Sequence, residues 1–254
     1  MHRFFVPSEN ISDKTIRISG SDVNHIKNVL RMAPHEKIEV FDSLGNIYQS
    51  EIEELKDNSV ICSIISEKKE NIESHIDITL AQCLPKGKKM DFIIQKATEL
   101  GVNYIIPVIS ERSIPKIEEK ADKKIDHWQK IAKEASEQSG RSKVPEIKPL
   151  SYLKDIITAQ KLVPSYDLKI IPWEGEKEKN LKFILEAQDG RRDFEIPPSI
   201  KILILIGPEG GFSKQEVQEA KDNGFISVSL GKRILRVETA AIAILAQIFY
   251  ELEM

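Results

Sequence analysis

The stretch ILILIGPEGGFSKQEVQEAKDNGFISVSLGKRILRVETA, residues 202–240, decides the fold. It holds two short apolar runs, 202–206 and 226–230, and each opens into a glycine-bearing loop. The first loop is IGPEGGFS (206–213) and the second is LGKRILRVETA (230–240). A helical pattern follows each. Strand, loop and helix twice over is the arrangement in which α/β proteins hold ligands at the carboxyl ends of parallel strands.

Upstream, the same alternation begins at residue 76. Residues 76–81 read as a strand, and a helix from about Met90 turns Phe92, Ile93, Ala97 and Leu100 inward and stops at Gly101. Residues 104–109 are the next strand, and 122–138 a long helix ending near Gly140. A strand at 168–173, a short helix at 181–187 and a two-proline loop at 191–199 lead into the decisive stretch. The alternation predicts a parallel sheet. The last helix, 237–252, carries Ala240, Ala241, Ile242, Ile244, Leu245, Ile248 and Phe249. That is more apolar surface than one sheet face needs, which predicts a buried dimer interface.

Residues 1–73 have a different rhythm. Strand-like runs at 3–6, 15–19, 37–41, 47–55 and 60–65 follow one another at short spacing, which predicts a small β-barrel. One helix interrupts them, with Ser21 as N-cap and Val23, Ile26, Val29 and Leu30 on one face. Ser43-Leu44-Gly45-Asn46 has the composition of a hairpin turn. Residues 67–74 are charged and unpatterned, as a linker would be. Two domains follow, 1–73 and 74–254.

A chain of 254 residues has room for both, and 41% hydrophobic with 30% charged residues excludes a disordered chain. The net charge of −3 divides unevenly. Residues 1–73 hold nine Lys/Arg against thirteen Asp/Glu (−4), and the remainder holds 28 against 27 (+1). Neither part is basic, so any nucleic acid must be met by local patches. Cys62 and Cys83 lack metal-ligand spacing and read as reduced, buried thiols, and no metal is expected. No run approaches a membrane span, and the start, MHRFFVPSEN, lacks the apolar core of a signal peptide. A cytoplasmic location is the default.

In the first loop, Gly207-Pro208-Glu209-Gly210-Gly211 either makes a tight turn or brings backbone close to a ligand. There is no Gly-Lys-Ser/Thr, and Glu209 would repel a phosphate, so a ligand with hydroxyls or a positive centre suits it better. Ser213 with Glu216 is a capping box, a structural role. In the second loop Arg236 and Glu238 are either solvated charges or part of a site, Glu238 being well placed at a helix N-terminus. Pro85-Lys86-Gly87-Lys88-Lys89 precedes a helix start and is a basic turn suited to phosphate.

These residues carry a resemblance. The pattern of residues 205–212 followed by 230–240 resembles the cofactor-binding end of the SPOUT superfamily, and within it the bacterial small-subunit (16S) ribosomal RNA uridine-N3 methyltransferases. Arg3-Phe4-Phe5, His25 with residues 29–32, Lys86-Gly87-Lys88-Lys89-Met90, residues 95–101 and Glu137-Gln138-Ser139-Gly140-Arg141 fit the same family in order. The resemblance implies an α/β methyltransferase domain with a C-terminal trefoil knot, preceded by a small PUA-like β-barrel that helps bind RNA. It implies a homodimer, S-adenosyl-L-methionine as cofactor, and 16S ribosomal RNA, within an assembled or assembling small subunit, as partner. By motif match the cofactor falls to Gly207, Glu209, Gly210, Gly211, Leu230, Gly231, Ile234, Leu235 and Thr239. Trp173-Glu174 adds a third wall. Arg236 is the implied catalytic residue, and Arg3, Arg31, Lys86, Lys88, Lys89 and Arg141 are the implied RNA contacts.

Methyl transfer to uridine N3 requires loss of the imide proton, and Arg236 beside the cofactor loops would stabilise the resulting anion. N3 lies on the pairing edge, so the base must be unstacked or single-stranded. Two other readings stay open: a non-catalytic RNA-binding module whose glycine loops are structural, and a nucleotide-phosphate enzyme. The missing Lys-Ser/Thr weakens the second of these.

Overall fold

The computed structural model describes residues 1–42, 44–69, 73–112, 121–158, 165–188 and 199–253. The expected loop at 191–199, except for Ser199, lies outside the described residues. The chain forms two compact units: one comprises Met1–Glu73 with Lys133–Val144, the other Ser74–Ala132 with Pro145–Met254.

In the first unit five strands, β1 (His2–Phe5), β2 (Thr15–Ser19), β3 (Lys37–Phe41), β4 (Asn46–Leu55) and β5 (Ser59–Lys69), form one curled sheet in the order β1-β3-β4-β5-β2. Only the β1–β3 pairing is parallel; the others are antiparallel. Two register shifts, at Gln49/Ser50 and Ile52/Glu54, bend β4 in the way bulges do. Alternation sends Ile16, Ile18, Ile38, Val40, Ile52, Val60 and Cys62 into one core, joined by Phe4 and Ile26. At the hairpin, Asp42 Oδ1 accepts from the backbone N–H groups of Leu44 (2.8 Å) and Asn46 (3.0 Å); Ser43 lies outside the described residues.

Three local expectations are corrected here. Gly20, not Ser21, caps the short helix α1 (Ser21–Asn24), because a φ of +75° there turns the chain from β2 into the helix. A π turn, His25–Val29, then shifts the helical phase, so Val29 is 64% exposed while Ile26 is fully buried. The stretch 67–74 is no simple linker: β5 runs to Lys69, and the Glu73 side chain is buried against Arg141.

In the second unit all described strand pairings are parallel. The sheet contains β6 (Ile76–Cys83), β7 (Tyr104–Ile109), β8 (Glu146–Ile147), β9 (Ser151–Tyr152), β10 (Leu168–Pro172), β11 (Ile200–Ile206) and β12 (Ile226–Val228). Its order is β12-β10-β11-β6-β7-β8, with β9 also paired to β7. The central strands are apolar on both faces, as a sheet covered on both sides requires. One face packs against α4 (Leu153–Thr158) and α6 (Lys214–Asp222) through Ile156, Ile157, Val217 and Ala220.

The helices α2 (Lys89–Leu100) and α7 (Val237–Glu253) contact each other, and α7 contacts β6 and β11. Gly101 ends α2 at φ +109°, where a Cβ would meet the Phe249 ring of α7 at 3.0 Å. The buried face of α2 is Met90, Ile93, Ile94, Ala97 and Thr98. Phe92 falls off that face and is 45% exposed, correcting the expectation that it points inward. The long helix α3 (Ala121–Ser139) and the short α5 (Leu181–Gln188) complete the set. No helix among the described residues is long and apolar enough to cross a membrane, and both cysteines are free and buried.

Candidate cofactor and methyl-transfer site

The first glycine loop leaves β11 at its carboxyl end, and the chain between β10 and α5 leaves the neighbouring strand at the same end. Between them and the start of α7 lies a cavity of about 570 Å³. Gly207, Glu209, Gly210 and Gly211 line it from the first loop, and Ile234, Leu235 and Arg236 from the second. Leu230 and Gly231 line an adjoining hollow of about 100 Å³, which shares Glu174, Ile234 and Leu235 with the cavity. Thr239 is exposed on the first turn of α7, one residue before the lining residue Ala240. The structure thus brings the two loops together on one cavity, with Gly207 and Arg236, 29 positions apart in sequence, both in its lining.

Local chemistry fixes each wall. Ser213 caps α6 by accepting from Glu216 N at 3.1 Å, and Glu216 returns a bond to Ser213 N at 2.7 Å. Gly211 sits at φ +64°, and a Cβ there would come within 2.8 Å of Glu174 Oε1. The glycine therefore gives both the backbone conformation and the room for that carboxylate. The loop carrying Glu174 is braced by Glu176. Its Oε1 accepts from the N–H groups of Lys177 (3.1 Å), Glu178 (3.1 Å) and Lys179 (3.3 Å), and its Oε2 from the Ser227 hydroxyl. The Ser227 bond is the main cause holding the Glu176 carboxyl down at about 2, with the backbone donors and Lys221 adding to it.

Charge in the cavity is partly paired. Glu209 Oε1 accepts from Lys89 Nζ at 2.9 Å and from Lys86 N at 3.0 Å. Lys89 Nζ also lies 3.6 Å from Glu238 Oε2, so one ammonium joins the start of α2, the first loop and the start of α7. Burial alone would raise the Glu209 carboxyl, but the Lys89 hydrogen bond, backbone donors and the Lys89 charge hold it below the usual carboxylate range. The same hydrogen bond raises Lys89 above the ordinary lysine value. Arg236 lines the cavity and is exposed, and its guanidinium makes no hydrogen bond or ion pair with any described residue.

The expected RNA contacts divide into two groups. Lys86 and Lys88 are exposed on either side of Gly87, and Lys88 caps α2 without a side-chain bond. Arg31 is exposed, at φ +55°. Lys89 is instead occupied by the two carboxylates. Arg3 pairs with Glu39 at 3.2 Å, donates to the Gly140 carbonyl and stacks over the Phe41 ring. Arg141 is 6% exposed, with Nη2 donating to Glu73 Oε2 at 2.6 Å. Neither arginine is a free surface charge, because each has a carboxylate partner within its own unit.

Sequence reasoning missed Arg112, whose Nη1 donates to the Gly210 carbonyl at 2.6 Å while its Cδ lies 3.3 Å from where a Gly210 Cβ would be. The signal was its place just beyond β7, since residues at the carboxyl ends of parallel strands face the ligand side.

Known proteins bear directly on this geometry. A family model for an RNA methyltransferase domain matches residues 72–249, and one for an RNA methyltransferase PUA domain matches residues 18–65. The Bacillus subtilis (strain 168) ribosomal RNA small subunit methyltransferase E is 33% identical over 258 residues, spanning 100% of this chain and 98% of that protein. The crystal structure of ribosomal RNA small subunit methyltransferase E from Neisseria gonorrhoeae bound to S-adenosyl methionine matches with a TM-score of 0.82 at 37% identity, covering 98% of this chain and 97% of that one. A putative methyltransferase from Legionella pneumophila, in complex with the same cofactor, matches with a TM-score of 0.84 at 34% identity over 98% and 96% of the two chains. With a family model over well more than half its length and relatives alike from end to end, the chain belongs to the family of ribosomal RNA small subunit methyltransferase E proteins.

Proposed function

We propose that this chain is an S-adenosyl-L-methionine-dependent methyltransferase acting on N3 of one uridine in small-subunit (16S) ribosomal RNA. The observation that carries the reading is a cavity walled by two glycine-bearing loops, with the unpaired Arg236 in its lining. A volume of about 570 Å³ falls within the range of small-molecule sites, roughly 300–1,000 Å³. The donor set fits this cofactor: close backbone at Gly207, Gly210 and Gly211, and carboxylates rather than a phosphate-binding lysine–serine pair. When bound, S-adenosylmethionine supplies a methyl group on a cationic sulfur.

The residues of the chain do the rest. The glycine loops hold the cofactor in line with the base, which is where most of the advantage of a bimolecular transfer lies. Arg236 places positive charge where the uracil imide becomes an anion as N3 loses its proton to a carboxylate or to solvent. Its guanidinium, unpaired among the described residues, is free to take that position, which a guanidinium locked to a carboxylate would not be.

The same reading gives the rest of the molecule its roles. Residues 74–254 form the methyltransferase domain, and 1–73 a PUA-like domain that helps hold RNA, a reading the PUA-domain match over 18–65 supports. Lys86 and Lys88 at the start of α2, and Arg31, meet phosphate. The segment closing the cavity is threaded as a trefoil knot, consistent with β10 lying between β11 and β12. A homodimer is supported by exposed Tyr250 on α7 and Phe183 on α5, which contacts it. The substrate is 16S ribosomal RNA in an assembled or assembling small subunit, in the cytoplasm.

Calorimetry with S-adenosylmethionine, followed by a methyl-transfer assay on small subunits with nucleoside mass spectrometry, tests this directly. Saturable binding and formation of N3-methyluridine are expected. No heat at millimolar cofactor would instead favour a non-catalytic RNA-binding protein.

A further inference from the structure

The cavity lining carries four charged side chains: Lys89, Glu174, Glu209 and Arg236. Lys89 and Glu209 neutralise each other at 2.9 Å. That leaves one cation and one anion. Like Arg236, Glu174 has no hydrogen bond or ion pair with any described residue, and the two do not pair with each other. Both are exposed, so water lets them stay apart at little cost, and the placement of Glu174 has a further, structural cause. For Glu174 the cause is on both sides. The Glu176 carboxylate ties down the loop that follows it, and Trp173 N, just before it, donates to the Val228 carbonyl at 3.0 Å. The Glu174 carboxylate lies against the bare backbone of Gly211, where any side chain would displace it.

We propose that Glu174 receives a cationic centre of the bound cofactor. This rests on the methyltransferase reading above. A cofactor with a cationic sulfur and an α-ammonium offers two such centres, and Glu174 reads one of them. Arg236 then serves the charge that develops on the base, and Glu174 the charge that the cofactor brings. A site arranged in this way keeps its two free charges apart because each has a different ligand atom to meet.

The test is calorimetric, on full-length protein, with S-adenosylmethionine and with S-adenosylhomocysteine, which keeps the ammonium but lacks the sulfonium charge. Glu174 is exposed, and Glu174→Gln keeps its shape, so unchanged thermal unfolding is expected. If Glu174 meets the sulfonium, E174Q raises Kd for S-adenosylmethionine roughly tenfold or more and leaves Kd for S-adenosylhomocysteine unchanged. If it meets the ammonium, both constants rise together. In either case Glu174→Asp recovers part of the loss. Wild-type affinity of E174Q for both ligands would overturn this inference while leaving the methyltransferase reading in place. Wild-type protein that binds neither ligand would overturn both.

Discussion

Arg141 and Arg236 are the same residue type put to opposite uses. Arg141 is 6% exposed and donates through both Nη2 and Nε to Glu73, whose other oxygen accepts from Ser142 and Lys143 backbone N–H groups. Every charge there has its counter-charge, and the result is architecture. Arg236 is exposed in a cavity, without a partner among the described residues, beside an equally unpaired Glu174. A fold can leave such charges unpaired at little cost only where water reaches them, and a ligand can then take the water's place. Paired and buried charge holds the first unit together; unpaired charge in the cavity is what remains to do chemistry.

Breaking the paired side should give the largest effect. Arg141→Ala leaves a buried carboxylate at Glu73 without its counter-charge, and should cost about 3–5 kcal/mol of stability. Urea unfolding measures this, while the folded fraction should bind S-adenosylmethionine with unchanged affinity. A variant as stable as wild type would erase the contrast. The unpaired side should respond in the reverse way. Arg236→Ala should unfold with the wild-type midpoint and keep its cofactor affinity, yet lose roughly 10²–10³ in turnover, the usual effect of removing one group that stabilises developing charge.

The third test sharpens the paired side through pH. Burial raises the Glu137 carboxyl to about 7, against the hydrogen bond from Phe5 N and the Lys133 charge that lower it. The folded state therefore holds this proton up to about pH 7, whereas the unfolded chain releases it near the ordinary glutamate value of 4.5. The contribution is fully present below 4.5 and is lost as pH rises through 7. Its size is on the order of 1–3 kcal/mol. Unfolding measured from pH 4 to 8 should show this slope, and Glu137→Gln should flatten it. The smallest effect is expected at Gly211→Ala. A left-handed backbone with a new Cβ should cost about 1–2 kcal/mol, and displacing Glu174 should weaken S-adenosylmethionine binding in calorimetry.

Much of the second unit was legible because its signals are local. The strand at Tyr104–Ile109 and the capping box at Ser213 and Glu216 depend only on neighbours in sequence. Phe92 misled because hydrophobicity alone placed it inward, whereas the helical period of Met90, Ile93, Ile94 and Ala97 excludes it. The intramolecular partners of the two arginines of the first unit were hidden for a different reason. Arg141 meets Glu73, 68 residues away, and Arg3 meets Gly140, 137 residues away, and no local pattern records such a partner. The two glycine loops could be read as a site, but the free carboxylate of Glu174 became visible only once the cavity showed which charges were already paired.

The most direct measurement is nucleoside mass spectrometry of 16S ribosomal RNA from cells that lack this protein, complemented with the wild-type chain or with Arg236→Ala. The account predicts that N3-methyluridine disappears in the deletion, returns with the wild-type chain and stays absent with the variant. N3-methyluridine undiminished in the deletion strain would contradict it.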